Sequence, residues 1–410
     1  MFRVAAVNAA GAGVPAVAGG LRGLFSGPTA NHFCVQLASG SFQCWGDNRR
    51  GQGGASGNLS VPVASVAPAS PVSMSAGGEF TCSVDDGGAV WCWGANGAGQ
   101  LGNGVTVDST SPVQVTGIST AVQVAAGDGF ACAVLSDGTV SCWGANDWGQ
   151  LGNGANTASS TPVVVTGLRG AVQVGAGSGF ACAVLSSGKV RCWGRGDSGQ
   201  LGNGAVLSSN VTVAVGSIES AQSVTLGSDF ACVLTTLATV WCWGGNGSGQ
   251  LGNGTAVASR APVQALGIGS AIQLVASNNS RVCALLADGS VQCWGNGAWG
   301  LLGDGTGNSA LSPTTVKGLE KVSSLAVGSM SFCALQQDNT VRCWGSSGLG
   351  QTGNNTGCYA CYRWTDWSQS TPANVSGFTT LNAQVQVGSA PAAPTSVVVQ
   401  SDRKSTRLNS

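Results

Sequence analysis

The residues with the most chemistry in this chain are its cysteines. Fourteen of the sixteen fall into pairs ten positions apart: Cys34 with Cys44, Cys82 with Cys92, Cys132 with Cys142, Cys182 with Cys192, Cys232 with Cys242, Cys283 with Cys293, and Cys333 with Cys343. Thiols so spaced can close disulfides, hold a metal or serve as small buried hydrophobes. A closed zinc site takes four ligands, whereas each pair supplies two and the chain has one histidine, so a metal is disfavoured. An even, regular cysteine pattern favours an oxidising compartment. The remaining two, Cys358 and Cys361, fit a local disulfide, half a zinc site or a redox pair. The redox reading lacks a thioredoxin-like helix start, and a small structural bridge is expected.

Other chemistry is sparse. Serine and cysteine nucleophiles usually need a histidine base, and His32 stands without a recognisable partner. Asp147, Asp197, Asp229 and Asp304 would make a hydrolase or lyase funnel only if their loops converged; solvated loop carboxylates are the plainer expectation. The recurring Gly-Gln-Leu-Gly-Asn-Gly loops have neither the lysine nor the following helix of a phosphate cradle. Their glycines read as turn residues, with Gln100, Gln150, Gln200 and Gln250 expected to satisfy backbone groups between repeats. No catalytic residue, cofactor or metal is therefore expected, and the chain is read as a non-enzyme. Recognition is a better prospect. Trp148 and Trp299 stand where most copies carry a small residue, and the insertion at 357–367 concentrates Tyr359, Tyr362, Arg363, Trp364 and Trp367. Aromatic and arginine side chains are favoured interface anchors, which makes that insertion the leading candidate for a partner-binding patch.

Short strands must position these groups. Residues 131–135 and 139–142 are apolar runs flanking Ser136, Asp137 and Gly138, the composition of a three-residue hairpin loop. With that loop Cys132 faces Cys142, at the roughly 4.5–5.5 Å Cα separation of an antiparallel pair, within reach of a disulfide. A two-residue loop would set Cys132 against Trp143 instead. The unit recurs seven times at a period of 48–51 residues, which points to a solenoid, a propeller or an array. In the third copy 112–115 and 121–125 precede the hairpin as two further strands, giving four per copy. Seven four-stranded copies without polar caps make an all-β, seven-bladed β-propeller. The strand expected at 384–388 has no hairpin after it, so it is assigned to complete the first copy, closing the ring with N- and C-terminal segments in one sheet.

The boundaries follow: an irregular segment at 1–23, the propeller at 24–389, and at 390–410 a disordered tail whose basic, polar composition departs from the rest. No run reaches the roughly 18 apolar residues of a membrane span. Seventeen basic and 17 acidic residues cancel, and charged residues are only 8% of the chain, leaving nothing to neutralise a phosphate backbone. Seven Asn-x-Ser/Thr sequons, at Asn58, Asn210, Asn246, Asn253, Asn278, Asn354 and Asn374, fit a secreted surface.

The combination of Gly-x-x-Phe-x-Cys, Val-x-Cys-Trp-Gly and Gly-Gln-Leu-Gly resembles the regulator of chromosome condensation repeat family over residues 24–388. Gly-Gln-Leu-Gly departs to Gly-Leu-Leu-Gly at 300–303. Phe80, Phe130, Phe180, Phe230 and Phe332 are assigned the place where the family often has histidine, which only His32 keeps. The resemblance implies a seven-bladed propeller. The founding member exchanges nucleotide on a small nuclear GTPase with the aid of chromatin, a role the paired cysteines and neutral charge argue against. Cysteine-paired versions look like extracellular relatives that use the propeller as a platform. The expected function is a monomeric extracellular, cell-surface or periplasmic binding module for a protein, peptide or glycan, with a nuclear exchange factor or a funnel enzyme as the alternatives.

Overall fold

The computed structural model describes residues 21–54, 57–68, 71–354 and 368–376. Seven four-stranded sheets follow one another along the chain, at 21–64, 73–114, 121–164, 171–214, 221–264, 271–315 and 322–374; they are blades 1 to 7. Within each, strands pair antiparallel in sequence order. In blade 3 the order from the centre outward is Ala121–Ala126, Phe130–Leu135, Val140–Gly144 and Ser159–Val164. Innermost strands touch in succession all the way round, the first meeting the seventh, so the array is a closed ring.

The expected hairpin is present. Cys132 pairs with Cys142 and Val134 with Val140, while Leu135 N–H donates to Thr139 O across the loop. Gly138 takes φ +76°, the positive value that favours glycine there. All seven hairpins close a disulfide with Cα atoms 4.0–4.1 Å apart, slightly nearer than expected. Cys358 and Cys361 lie outside the described residues.

Each cystine faces the next blade. Cys82 and Cys92 pack with Trp143, Cys132 and Cys142 with Trp193, and so round to Cys333 and Cys343 against Trp45 of blade 1. The seven Trp-Gly tryptophans are fully buried. Six of them donate from Nε1 to the backbone carbonyl of the glutamine in the preceding blade's Gly-Gln-x-Gly loop, as Trp143 does to Gln100 O at 2.9 Å. The seventh, Trp344, meets the loop where Leu301 replaces glutamine, and its Nε1 has no partner among the described residues. At Gly102, with φ +68°, a Cβ would stand 2.8 Å from the Trp143 ring, so close packing as well as conformation requires glycine.

Three expectations about boundaries are corrected. The strand at 112–115 belongs to blade 2, because Val113 pairs with Cys92; the fourth strand of a blade follows its hairpin instead of preceding it. The first blade needs no returning strand, since Leu21–Phe25 pairs with His32–Leu37. Blade 1 therefore draws all four strands from 21–64, and the ring closes by packing against blade 7; residues 384–388 lie outside the described residues. Ser331 and not Phe332 occupies the position of Phe130, since Ser331 pairs with Gly345 as Phe130 does with Gly144.

Inner strands carry an unpaired edge toward the axis, and glutamines cover part of it. Gln123 Nε2 donates to Val174 O and Val174 N–H donates to Gln123 Oε1, both at 2.8 Å. Gln173 bridges Val224 and Gln273 bridges Leu325 in the same way. Each carboxamide stands in for the neighbouring strand that an edge lacks.

Candidate partner-binding face

Antiparallel order sorts the loops onto two faces. One carries the seven disulfide-stapled hairpin turns; the other carries the Gly-Gln-x-Gly loops between third and fourth strands. On the latter face blade 1 has a longer turn between its first two strands, and residues 26–30 reach over the axis. Asn278 N–H donates to Pro28 O, Ser329 N–H to Ala30 O, and Ala76 N–H to Ser26 O, tying the turn to blades 6, 7 and 2. An axial pocket beneath it, lined by Leu24, Met74, Val224, Leu226 and Val327 among others, holds about 30 Å³, room for a water or two.

That plug bears on the funnel alternative. Asp147, Asp197, Asp229 and Asp304 stand on blades 3, 4, 5 and 6 respectively, and the last three are engaged locally. Arg195 binds Asp197 at 2.8 Å, Ser228 Oγ donates to Asp229, and Thr306 N–H and Oγ1 donate to Asp304. Burial alone would raise the pKa of Asp197, but hydrogen bonds from Arg195, Gln200 and Ser198 hold it below the usual value. No group of three or more metal-ligating side chains is found among the described residues.

The loop face presents a crown. The residue before the first glycine of each Gly-Gln-x-Gly loop is, in blade order, Arg50, Ala98, Trp148, Ser198, Ser248, Trp299 and Leu349. Trp148 is 45% exposed, with the Arg195 guanidinium 5.4 Å from its ring centre. Trp299 is 42% exposed and holds φ +60° in the short 3-10 turn Ala298–Gly300, a strained value for a tryptophan. The two rings share a face without sharing a patch, because blades 4 and 5 stand between them. The glutamines contribute differently from expectation: Gln100 Oε1 accepts Ala98 N–H within its own loop, and its backbone carbonyl makes the contact between blades.

Sequence reasoning missed the charged part of the crown. Arg49 binds Asp47 at 2.8 Å, and Arg50 lies 3.5 Å from Glu79 and 3.2 Å from Asp108. These charges join blades 1 and 2. Arg50, Glu79 and Asp108 are all exposed, so their pairs contribute little to stability and exchange readily for a partner's groups, whereas the Asp47 carboxylate is buried and stays with Arg49. The available signal was the pair Arg49-Arg50 in a loop position that is small or neutral in most copies.

His32 and Arg281 sit at the Phe130 position of blades 1 and 6, both fully buried. Thr81 Oγ1 donates to Gln52 O at 2.8 Å, so it accepts from His32 Nε2, 2.7 Å away; His32 Nδ1 has no partner among the described residues. Burial lowers the His32 pKa to about 4 against the pull of Asp47, leaving it neutral and structural. Arg281 Nη2 donates to Ser277 Oγ and Ser329 O, the guanidinium lies over Phe332, and burial lowers its pKa to about 9.

Two further tryptophans are scaffold in part. Trp241 packs into the core between blades 4 and 5, and Trp91 Nε1 donates to Asp85. The insertion residues Tyr359, Tyr362, Arg363, Trp364 and Trp367 lie outside the described residues. The described residues that flank them in the sequence are Asn354, after the third strand of blade 7, and Ser368, the first residue of the fourth.

The pattern of the Regulator of chromosome condensation (RCC1) repeat matches residues 87–134, 137–184, 238–285 and 288–335, and a second pattern of the same repeat matches 72–100, 121–150, 171–200 and 221–250. No curated protein matches the chain. Among solved structures it is similar to Prp20p from Saccharomyces cerevisiae, at 21% identity and TM-score 0.71 over 88% of this chain and 87% of that one. The structure of Kap60 bound to yeast RCC1 (Prp20) gives 22%, 0.70, and coverages of 81% and 83%. Human WBSCR16 gives 22%, 0.68, and coverages of 78% and 84%. At these identities the likeness is one of fold. Among the described residues no helix is long and apolar enough to cross a membrane.

Proposed function

Since the chain belongs to the regulator of chromosome condensation repeat family, we propose that it is a binding module, working outside the cell or in a periplasm, that engages a protein, peptide or glycan through its crown and performs no chemistry on it. The observation that carries the compartment is the closure of all seven hairpin cystines, which cytosolic and nuclear redox buffers do not sustain. Binding is supported by a crown whose variable positions hold exposed Trp148, Trp299 and Arg50 on an otherwise repetitive scaffold. Prp20p has binding properties toward Gsp1p and histones; a nuclear role for the present chain fits poorly with seven cystines.

The purified propeller can be presented to a glycan array and to a library of peptides from secreted proteins. Binding that disappears in an Arg50→Ala, Trp148→Ala double variant and survives Asp86→Ala, in a hairpin turn of the opposite face, supports the reading. Binding indifferent to both crown substitutions counts against it.

A further inference from the structure

Seven sequons are spread over the ring, and the fold treats them unequally. A glycan on asparagine replaces one hydrogen of Nδ2, so an amide whose hydrogens are both used in the folded chain is a poor carrier. Asn246 is 1% exposed, and its Nδ2 donates to Thr255 O and Val257 O, each at 3.0 Å. Asn210 Nδ2 donates to Gly154 O at 2.9 Å and Asn156 Oδ1 at 3.0 Å, stitching blade 4 to the loop of blade 3. Asn58 and Asn253 are half-buried and accept backbone N–H bonds from Asn48 and Thr255. Asn278 is half-buried beside the axial plug, and Asn354 accepts from Thr352 Oγ1.

Asn374 differs from all of them. It is exposed, its side chain has no hydrogen bond among the described residues, and it ends the outermost strand of blade 7, opposite Arg342. Ser376 supplies the sequon hydroxyl. Among the described residues no strand pairs with the outer edge of that strand, a place where a bulky polar group also blocks edge-to-edge pairing. The strand runs from the crown face at Ser368 to the hairpin face at Asn374, so a group there leaves the crown clear.

We propose that Asn374 is an acceptor for an N-linked glycan and that Asn246 is not. The donor is a lipid-diphosphate-linked oligosaccharide. A bond forms between Asn374 Nδ2 and the anomeric carbon, the bond from that carbon to the diphosphate oxygen breaks, the lipid diphosphate leaves with the electron pair, and one amide proton is lost. This rests on passage through an oxidising secretory compartment, the reading given above.

The test is secretion of the full chain from a glycosylating insect-cell host, followed by non-reducing peptide mass mapping with and without an N-glycan amidase. The expected result is a glycan on the Asn374 peptide in most molecules, none on Asn246, and loss of one glycan's mass in Asn374→Gln with melting temperature and secretion unchanged. An unmodified Asn374 in protein whose hairpin cystines are closed overturns the glycan and leaves the compartment reading intact. Secreted protein with free hairpin thiols overturns the compartment reading instead, whichever peptides carry sugar.

Discussion

Gln123→Met isolates the device that seals the inner edge of the ring. The substitution keeps the length and much of the volume of a side chain that is 2% exposed, while removing both hydrogen bonds to Val174. A buried backbone group left without a partner costs about 1–3 kcal/mol, so orphaning the Val174 N–H and C=O together costs about 4 kcal/mol. Burying the thioether offsets about 1 kcal/mol of that, leaving about 3 kcal/mol. Gln222→Met is the control, because Gln222 sits one residue earlier in its blade and is exposed. Urea unfolding under non-reducing conditions should show a lower midpoint at unchanged m for Gln123→Met, and amide exchange at Val174 should accelerate. If the two variants lie within about 0.5 kcal/mol of each other, the edge-bridging argument is wrong.

Two further predictions concern buried groups. His32 is the one histidine of the chain, and its folded pKa of about 4 lies below an unfolded value of 6.5. The unfolded chain therefore gains a proton first as pH falls. Stability is complete above about pH 6.5 and declines by about 3 kcal/mol on the way down to about pH 4, a slope that His32→Phe should abolish in acid unfolding curves. Asp47, with its pKa lowered, loses its contribution only in a more acid window. Replacing Cys132 and Cys142 together by alanine opens a ten-residue loop, which costs about 2.7 kcal/mol in chain entropy alone and should lower the melting temperature without changing crown binding.

The hairpin was legible because loop chemistry and cysteine spacing agree on one register, and repetition then fixed the number of blades. What pattern alone left open was which neighbour a strand joins. The run at 112–115 alternates equally well beside either hairpin, and only its pairing to Cys92 assigns it to blade 2. The first strand was missed because Gly23 and the exposed Arg22 interrupt it and a register shift falls between Leu21 and Gly23. A similar shift beside Ala121 defeats period-two reasoning in Val122-Gln123-Val124: the valine at 122 is 43% exposed while the glutamine is buried. The crown was half legible. Trp148 and Trp299 stood out as departures from small residues, whereas Arg49 and Arg50 meet Glu79 and Asp108 only through the apposition of two blades.

The central claim is a ring stapled blade by blade in an oxidising compartment. Protein taken from its native source, alkylated before denaturation and mapped by mass spectrometry without reduction, tests it most directly. The account predicts seven cross-linked hairpin peptides, from Cys34 with Cys44 to Cys333 with Cys343, and no alkylated hairpin cysteine. Hairpin cysteines recovered alkylated, or joined between hairpins, would contradict it.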